Sequence, residues 1–249
     1  MRVPGGAFAR LVALLAHTVL GALIAALAPA HALTDTRTGT RIVILWHRGL
    51  LAILGIRLRV LGQPIEAPAL VIANHVSWVD IPALGALCSG HFIAKSEIAT
   101  WPLMGWLAAQ AGTLYIIRGD KRASGQVATR MKEALLRDQS VLLFPEGTST
   151  DGTVVRAFHA RLFAPAIDSG CLVQPVAIRY LDRRGVNHPA APYFGDATLP
   201  RHLWGLLCAR GEFAVHVDFL APEVSTGLTA RALAERTRTV IASHLGVDP

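Results

Sequence analysis

Residues 11–33 read LVALLAHTVLGALIAALAPAHAL, a run without a single Asp, Glu, Lys or Arg. Along its first twenty residues only His17 and Thr18 are clearly polar. About 20 apolar residues suffice for a helix to cross the hydrocarbon core of a bilayer. Arg2 and Arg10 precede the run, and Arg37, Arg41 and Arg48 follow it. Positive charge on both flanks leaves the orientation open. Ala30-His31-Ala32 has the small-x-small form of a signal-peptidase site, so export after cleavage at Ala32 is the competing reading. The run is longer than the roughly 7–15 apolar residues of a signal peptide, which favours an anchor.

The next apolar stretch, residues 42–61, carries His47, Arg48, Arg57 and Arg59 among its Leu and Ile. Charges so spaced do not cross a membrane cheaply. The expectation is a helix lying in the interface with its Arg stems snorkelling, and a core helix of the following domain is the alternative. Residues 1–62 are therefore read as membrane-anchor and interfacial helices, and residues 63–249 as one α/β domain.

The 249 residues are 52% hydrophobic and 16% charged, far from the composition of a disordered chain. The net charge is +7. Nucleic-acid binding shows a basic stripe interleaved with aromatics. Here aromatics are 6% and the arginines are scattered, which excludes that class and suits an anionic bilayer face. Cys88, Cys171 and Cys208 lie far apart with no CxxC spacing, so neither a zinc site nor a disulfide framework is expected.

From residue 68 short apolar runs alternate with helical segments. Strands are expected at 69–73, 91–94, 113–118, 141–144, 173–180 and 212–220. Helices are expected at 79–89, 97–109, 123–137, 160–169 and 229–245. Ser96 suits an N-cap. Residues 181–201 read as a long surface loop. This alternation implies an α/β fold, a mainly parallel or mixed central sheet flanked by helices.

Polar groups cluster where two of these strands end. ALVIA at 69–73 runs into NHVSWVD at 74–80, and VLLF at 141–144 runs into PEGTSTDG. Sites in open α/β sheets collect at the carboxyl ends of strands. His75 is a general-base candidate, histidine being the side chain that ordinarily exchanges protons near neutral pH, and a turn at Ser77 would bring Asp80 back to one imidazole nitrogen. The bland alternative is a polar loop in which Asn74 and Asp80 cap a helix. Gly147 allows backbone N–H groups to approach a ligand. Ser77 allows a Ser77–His75–Asp80 hydrolase, although no GxSxG elbow surrounds it, and a capping role suits it better. Trp78 is read as packing or interface anchoring.

NHVSWVD resembles the NHxxxxD block of the glycerolipid acyltransferases, and FPEGTST at 144–150 resembles their FPEGT block. GTLYIIR at 112–118 and VQPVAI at 173–178 fall where that family has its Arg-ended and Pro-centred blocks. The resemblance covers roughly residues 68–180, with the four blocks in order. It implies a membrane-docked α/β acyltransferase close to bacterial 1-acylglycerol-3-phosphate acyltransferases. His75 and Asp80 would be catalytic. Asn74, Arg118, Glu146, Gly147 and Thr148 would serve substrate binding. It further implies a fatty acyl donor, acyl-CoA or acyl-acyl carrier protein, and a lysolipid acceptor, with no metal or organic cofactor. The catalytic domain would face the cytoplasm from the inner membrane.

One departure bears on the acceptor. Ser149 stands where members acting on lysophosphatidate often carry an Arg, and a charge-assisted contact of that kind contributes roughly 1.5–3 kcal/mol. Lys95, Arg118, Arg156 or Lys121–Arg122 are the replacements at hand. The Thr-Ser-Thr-Asp-Gly form also resembles the branch acylating lyso-ornithine lipid. The first-choice acceptor on sequence is 1-acylglycerol 3-phosphate, with lyso-ornithine lipid second. From other classes, an exported serine esterase and a non-catalytic basic membrane protein remain as alternatives.

Overall fold

The computed structural model describes residues 5–29, 32–66, 68–116, 121–209 and 213–248. Ala30 and His31 of the cleavage-like motif lie outside them, as does Arg118. The side chains of Lys121 and Arg122 are likewise outside the description.

Most of the uncharged run lies in α1 (Gly5–Leu27), followed by short α2 (Ala32–Asp35) and α3 (Arg37–Leu54). Within α1, residues 6–27 are long and apolar enough to cross a membrane, and only 11% of the span is buried. Helix α3 starts where the Thr36 hydroxyl accepts the Gly39 N–H at 2.9 Å. It stops at Gly55, whose φ of 72° is the left-handed conformation that ends helices.

Here the expectation of one interfacial helix over 42–61 is corrected. Residues beyond Gly55 form β1 (Ile56–Leu61), paired in parallel with β7 (Phe213–Phe219). The alternation of Ile56, Leu58 and Val60 with Arg57 and Arg59 is a period of two, the signature of a strand with one face inward. Helix α3 in turn buries His47, Leu50, Leu51 and Leu54 against the domain. Arg48 Nε donates to the Ala86 carbonyl at 2.9 Å, at the end of α4 (Asp80–Gly85).

The remaining strands are β2 (Ala69–Ala73), β3 (His91–Lys95), β4 (Leu114–Ile116), β5 (Val141–Leu143), β6 (Leu172–Leu181) and β8 (Glu223–Val224). Among the described residues the sheet runs β1-β7-β6-β2-β5-β3-β4, with β8 on β6. Every pairing along that path is parallel except β6–β7. The sheet is therefore mixed. Strand β2 is buried along its whole length, as the uninterrupted ALVIA run requires of a strand covered on both faces.

One core packs α3, α4 and α9 (Leu199–Cys208) on one face of the sheet. The other packs α7 (Lys121–Leu136), α8 (Ala164–Ser169) and α10 (Ala230–Leu245) on the opposite face. The helix expected over 97–109 is split into α5 (Ser96–Ala99) and α6 (Met104–Gln110) around Pro102, which cannot donate to a helical ladder. Ser96 is the first residue of α5 and not its cap. Helix α4 is shorter than the 79–89 expected, and α9 was not foreseen. The 181–201 loop is not wholly superficial, since Ala191 is buried and the Tyr193 N–H donates to the Val76 carbonyl at 2.9 Å.

Candidate active site

β2 and β5 are adjacent and parallel, so the segments 74–80 and 144–150 leave the sheet on the same side. Within 74–80 the chain turns at once: the Asp80 N–H donates to the Ser77 carbonyl at 3.0 Å. That turn folds the Asp80 carboxylate back over the residues before it. Its Oδ2 receives the Val76 N–H at 2.7 Å and the Ser77 N–H at 2.8 Å. The same oxygen meets His75 Nδ1 at 2.7 Å. A carboxylate only accepts, so Nδ1 carries the proton and Nε2 is the nitrogen left to act as base. The Asp80 side chain is fully buried while 20% of the His75 side chain is exposed, so the pair opens to its surroundings through the imidazole alone.

Tyr180, which the sequence offered only as a strand residue, completes the carboxylate. Its hydroxyl donates to Asp80 Oδ1 at 2.5 Å from a hundred residues away. Burial, and then the Asp80 charge, push the phenol well above its ordinary range, which keeps it a donor. The position follows Ile178 by two residues on β6, and only the sheet order brings it to Asp80.

Glu146 lies in the neighbouring segment and is also buried. Its Oε1 accepts the His75 N–H at 2.7 Å and its Oε2 accepts the Arg156 N–H at 2.9 Å. Burial pushes its carboxyl up, against the pull of those two N–H donors. The His75 carbonyl accepts the Thr150 N–H at 2.9 Å, so the backbone of His75 is held on both sides by the 146–150 segment. Phe144 stacks on the imidazole with centroids 4.3 Å apart and planes at 16°. Asn74 clips the end of β2 to β6: its amide donates to the Ile178 carbonyl at 2.9 Å and accepts the Ile178 N–H at 2.7 Å.

Of the expected site residues, Asn74, His75, Asp80 and Glu146 are brought together. Asn74 and Glu146 direct their polar atoms at backbone groups in this geometry. Gly147 takes a φ of 69° at the turn, and Thr148 beside it is half-buried. The Ser149 hydroxyl donates to the Tyr193 carbonyl, tying the FPEGT segment to the 190s loop. Arg156 is exposed, and Arg118 lies outside the described residues. Among the described residues no cluster of three or more His, Cys, Asp or Glu side chains is placed to hold a metal ion.

The Ser77 hydroxyl is fully buried and has no hydrogen-bond partner among the described residues. Ser77 contributes its backbone N–H to Asp80, and its Oγ is not within hydrogen-bonding reach of His75. That removes the esterase reading, which needs Nε2 on the serine oxygen.

The acyltransferase family model matches residues 57–179, which run from the second residue of β1 through the His75–Asp80 turn and the FPEGT segment to most of β6. The chain is 47% identical over 199 residues to a lyso-ornithine lipid O-acyltransferase of Pseudomonas aeruginosa, covering 79% of this chain and 75% of that one. It is 42% identical over 183 residues to a 1-acyl-sn-glycerol-3-phosphate acyltransferase of Neisseria meningitidis serogroup B, covering 72% and 71%. The crystal structure of the 1-acyl-sn-glycerophosphate acyltransferase from Thermotoga maritima superposes with a TM-score of 0.65 at 20% identity, over 95% of this chain and 96% of that one, and shows a common fold. With these identities and shares of both chains covered, the chain belongs to the acyltransferase family.

Proposed function

We propose that the protein is a membrane-bound lysolipid O-acyltransferase in which His75 is the general base. The observation that carries the reading is the 2.7 Å bond between His75 Nδ1 and Asp80 Oδ2, which leaves Nε2 as the basic nitrogen. The acceptor hydroxyl gives its proton to Nε2 as its oxygen attacks the thioester carbonyl of acyl-CoA or acyl-acyl carrier protein. Asp80 holds the ring and stabilises the imidazolium that forms. The C–S bond then breaks, the thiol leaves with the proton held on Nε2, and the acyl ester remains on the lysolipid. No acyl-enzyme is required. Backbone N–H groups aimed at the developing oxyanion are the usual largest electrostatic contribution. The α1 anchor would hold the enzyme on the inner membrane with its catalytic domain on the cytoplasmic side, where such donors are made.

We further propose lyso-ornithine lipid as the acceptor, reversing the first choice made on sequence. Ser149 replaces the phosphate-binding Arg and its hydroxyl is committed to the Tyr193 carbonyl, so this position offers no cation to a phosphate. The Pseudomonas relative supports the same head group. Lysophosphatidate is the second reading, supported by the net charge of +7 and the Neisseria relative.

The test is purified protein in vesicles with a labelled acyl donor, offered each lysolipid in turn. Transfer to lyso-ornithine lipid ahead of lysophosphatidate is expected, and the reverse order would overturn the acceptor assignment. His75→Ala is expected to lose about 10²–10⁴-fold in turnover, the usual contribution of a positioned base. Near-normal transfer by that variant would sink the mechanism.

A further inference from the structure

The connection between β3 and β4 carries no Asp, Glu, Lys or Arg from Ile98 to Ile116, yet it is not a core segment. Trp101, Leu103, Met104 and Trp106 are 40%, 44%, 43% and 39% exposed. They cluster around the turn joining α5 to α6. At its centre Leu103 has φ 60° and ψ −49°, and the Met104 N–H donates to the Pro102 carbonyl at 2.6 Å. That is a γ-turn with positive φ, a rare and strained conformation. A leucine there bears strain that a glycine would avoid, and its exposed side chain recovers little burial in return.

The turn is also built to be stiff. A Cβ on Gly105 would sit 2.3 Å from the Ala99 carbonyl, so α5 and α6 close tightly on each other. The Gly105 N–H donates to the Trp101 carbonyl at 2.9 Å, and the Tyr115 hydroxyl donates to the Gly105 carbonyl at 2.9 Å. A stiff, uncharged tip that presents two tryptophans, a leucine and a methionine is suited to the bilayer interface. Tryptophan rings settle at head-group level and aliphatic side chains reach the acyl boundary below.

Position argues for lipid over a protein partner. Helix α6 packs against α1, the helix on which Phe8, Leu15, Val19 and Leu23 are 63%, 59%, 56% and 55% exposed, so the tip sits beside a second apolar exposed element. Strand β3 leads into α5 directly and runs parallel to β5, whose end carries the FPEGT segment. The tip therefore lies off the same edge of the sheet as His75.

We infer that the 101–106 turn is a second lipid-contacting surface, a rigid wedge that enters the bilayer interface beside α1 and turns the site edge toward the acceptor's membrane. This rests on the reading of α1 as a membrane helix. The wedge fixes the domain's tilt, which a single helical anchor leaves free.

Full-length protein with every tryptophan but Trp106 changed to Phe is mixed with vesicles of phosphatidylcholine and phosphatidylglycerol brominated in their acyl chains. Flotation with the vesicles and quenching of Trp106 are both expected. In W101E/W106E the KM for a vesicle-embedded lysolipid should rise about tenfold, the equivalent of about 1.4 kcal/mol of lost lipid contact. Its kcat/KM for a short-chain, monomeric lysolipid should stay unchanged. Flotation with Trp106 unquenched overturns the wedge and leaves the α1 reading standing, and failure to float removes both. Should W101E/W106E not fold, Trp106 quenching decides the matter alone.

Discussion

Two buried carboxylates lie one on each side of His75, and the contrast between them explains the site. Asp80 gathers four donors: the His75 imidazole, two backbone N–H groups and the Tyr180 phenol. Glu146 gathers two backbone N–H groups, from His75 and Arg156. Asp80 acts on the imidazole ring, the proposed base. Glu146 acts on the peptide that carries the ring. A carboxylate in an active-site motif is thus assigned by the atoms it touches, and its presence in the motif does not make it a substrate ligand.

The largest expected effect comes from Asp80→Asn. The amide can still accept the backbone N–H groups through its oxygen and face Tyr180 with its nitrogen, so folding should survive. The negative charge opposite the imidazolium is gone, and turnover should fall by about 10⁴-fold, as in triads whose carboxylate is made an amide. Steady-state kinetics beside thermal melts check this. A large fall in Tm with a small fall in rate would erase the distinction from Glu146.

Glu146→Gln should show the opposite balance. An amide cannot accept at both ends, so one of the two half-buried N–H bonds is lost, at about 1 kcal/mol of stability. Activity should drop about tenfold through misplacement of the His75 backbone, by the same 1.4 kcal/mol conversion. The pH dependence sharpens the point. Burial raises the folded-state pKa of Glu146 above its usual 4.5, so the folded chain holds that proton more tightly than the unfolded one. Its contribution is then present at low pH and is lost as pH rises through the raised value. Glutamine does not titrate, so the variant should lack this pH-dependent component of stability in denaturation curves. An unchanged pH dependence in the variant would contradict the assignment.

Tyr180→Phe leaves one lone pair of Asp80 without its donor while three donors remain on the other oxygen. A loss of about 1 kcal/mol in stability, and several-fold in turnover, is expected from chemical denaturation and kinetics. Turnover falling as far as in Asp80→Asn would promote the phenol to an equal of the carboxylate it holds. The smallest effect is in specificity. Ser149→Arg should shift preference toward lysophosphatidate several-fold in competition assays. No shift would mean that another cation already meets the head group.

The same contrast marks how much the sequence revealed. Asp80 reaches His75 across five residues through a turn made by its own neighbours, so NHVSWVD offered the pair as one of two local readings, and the FPEGT block favoured it over a helix cap. Glu146 reaches the His75 N–H across 71 residues, and Asn74 reaches Ile178 across 104. Motif order placed both residues in the site, but their role as clamps on backbone needed the β5-β2-β6 adjacency. Tyr180 carried no motif at all. The 42–61 stretch was misread for a related reason. Its leucines and isoleucines suit helix and strand alike, and the left-handed turn at Gly55, together with pairing to a strand more than 150 residues away, decided between them.

By itself the sequence determined an α/β chain with an apolar N-terminal helix and two polar strand ends, because hydrophobic period and local turns are short-range properties. Only the tertiary structure decided which strands are neighbours, and hence which atoms complete Asp80 and which steady His75. Such contacts depend on strand order in the sheet, and strand order is not a local property of any segment.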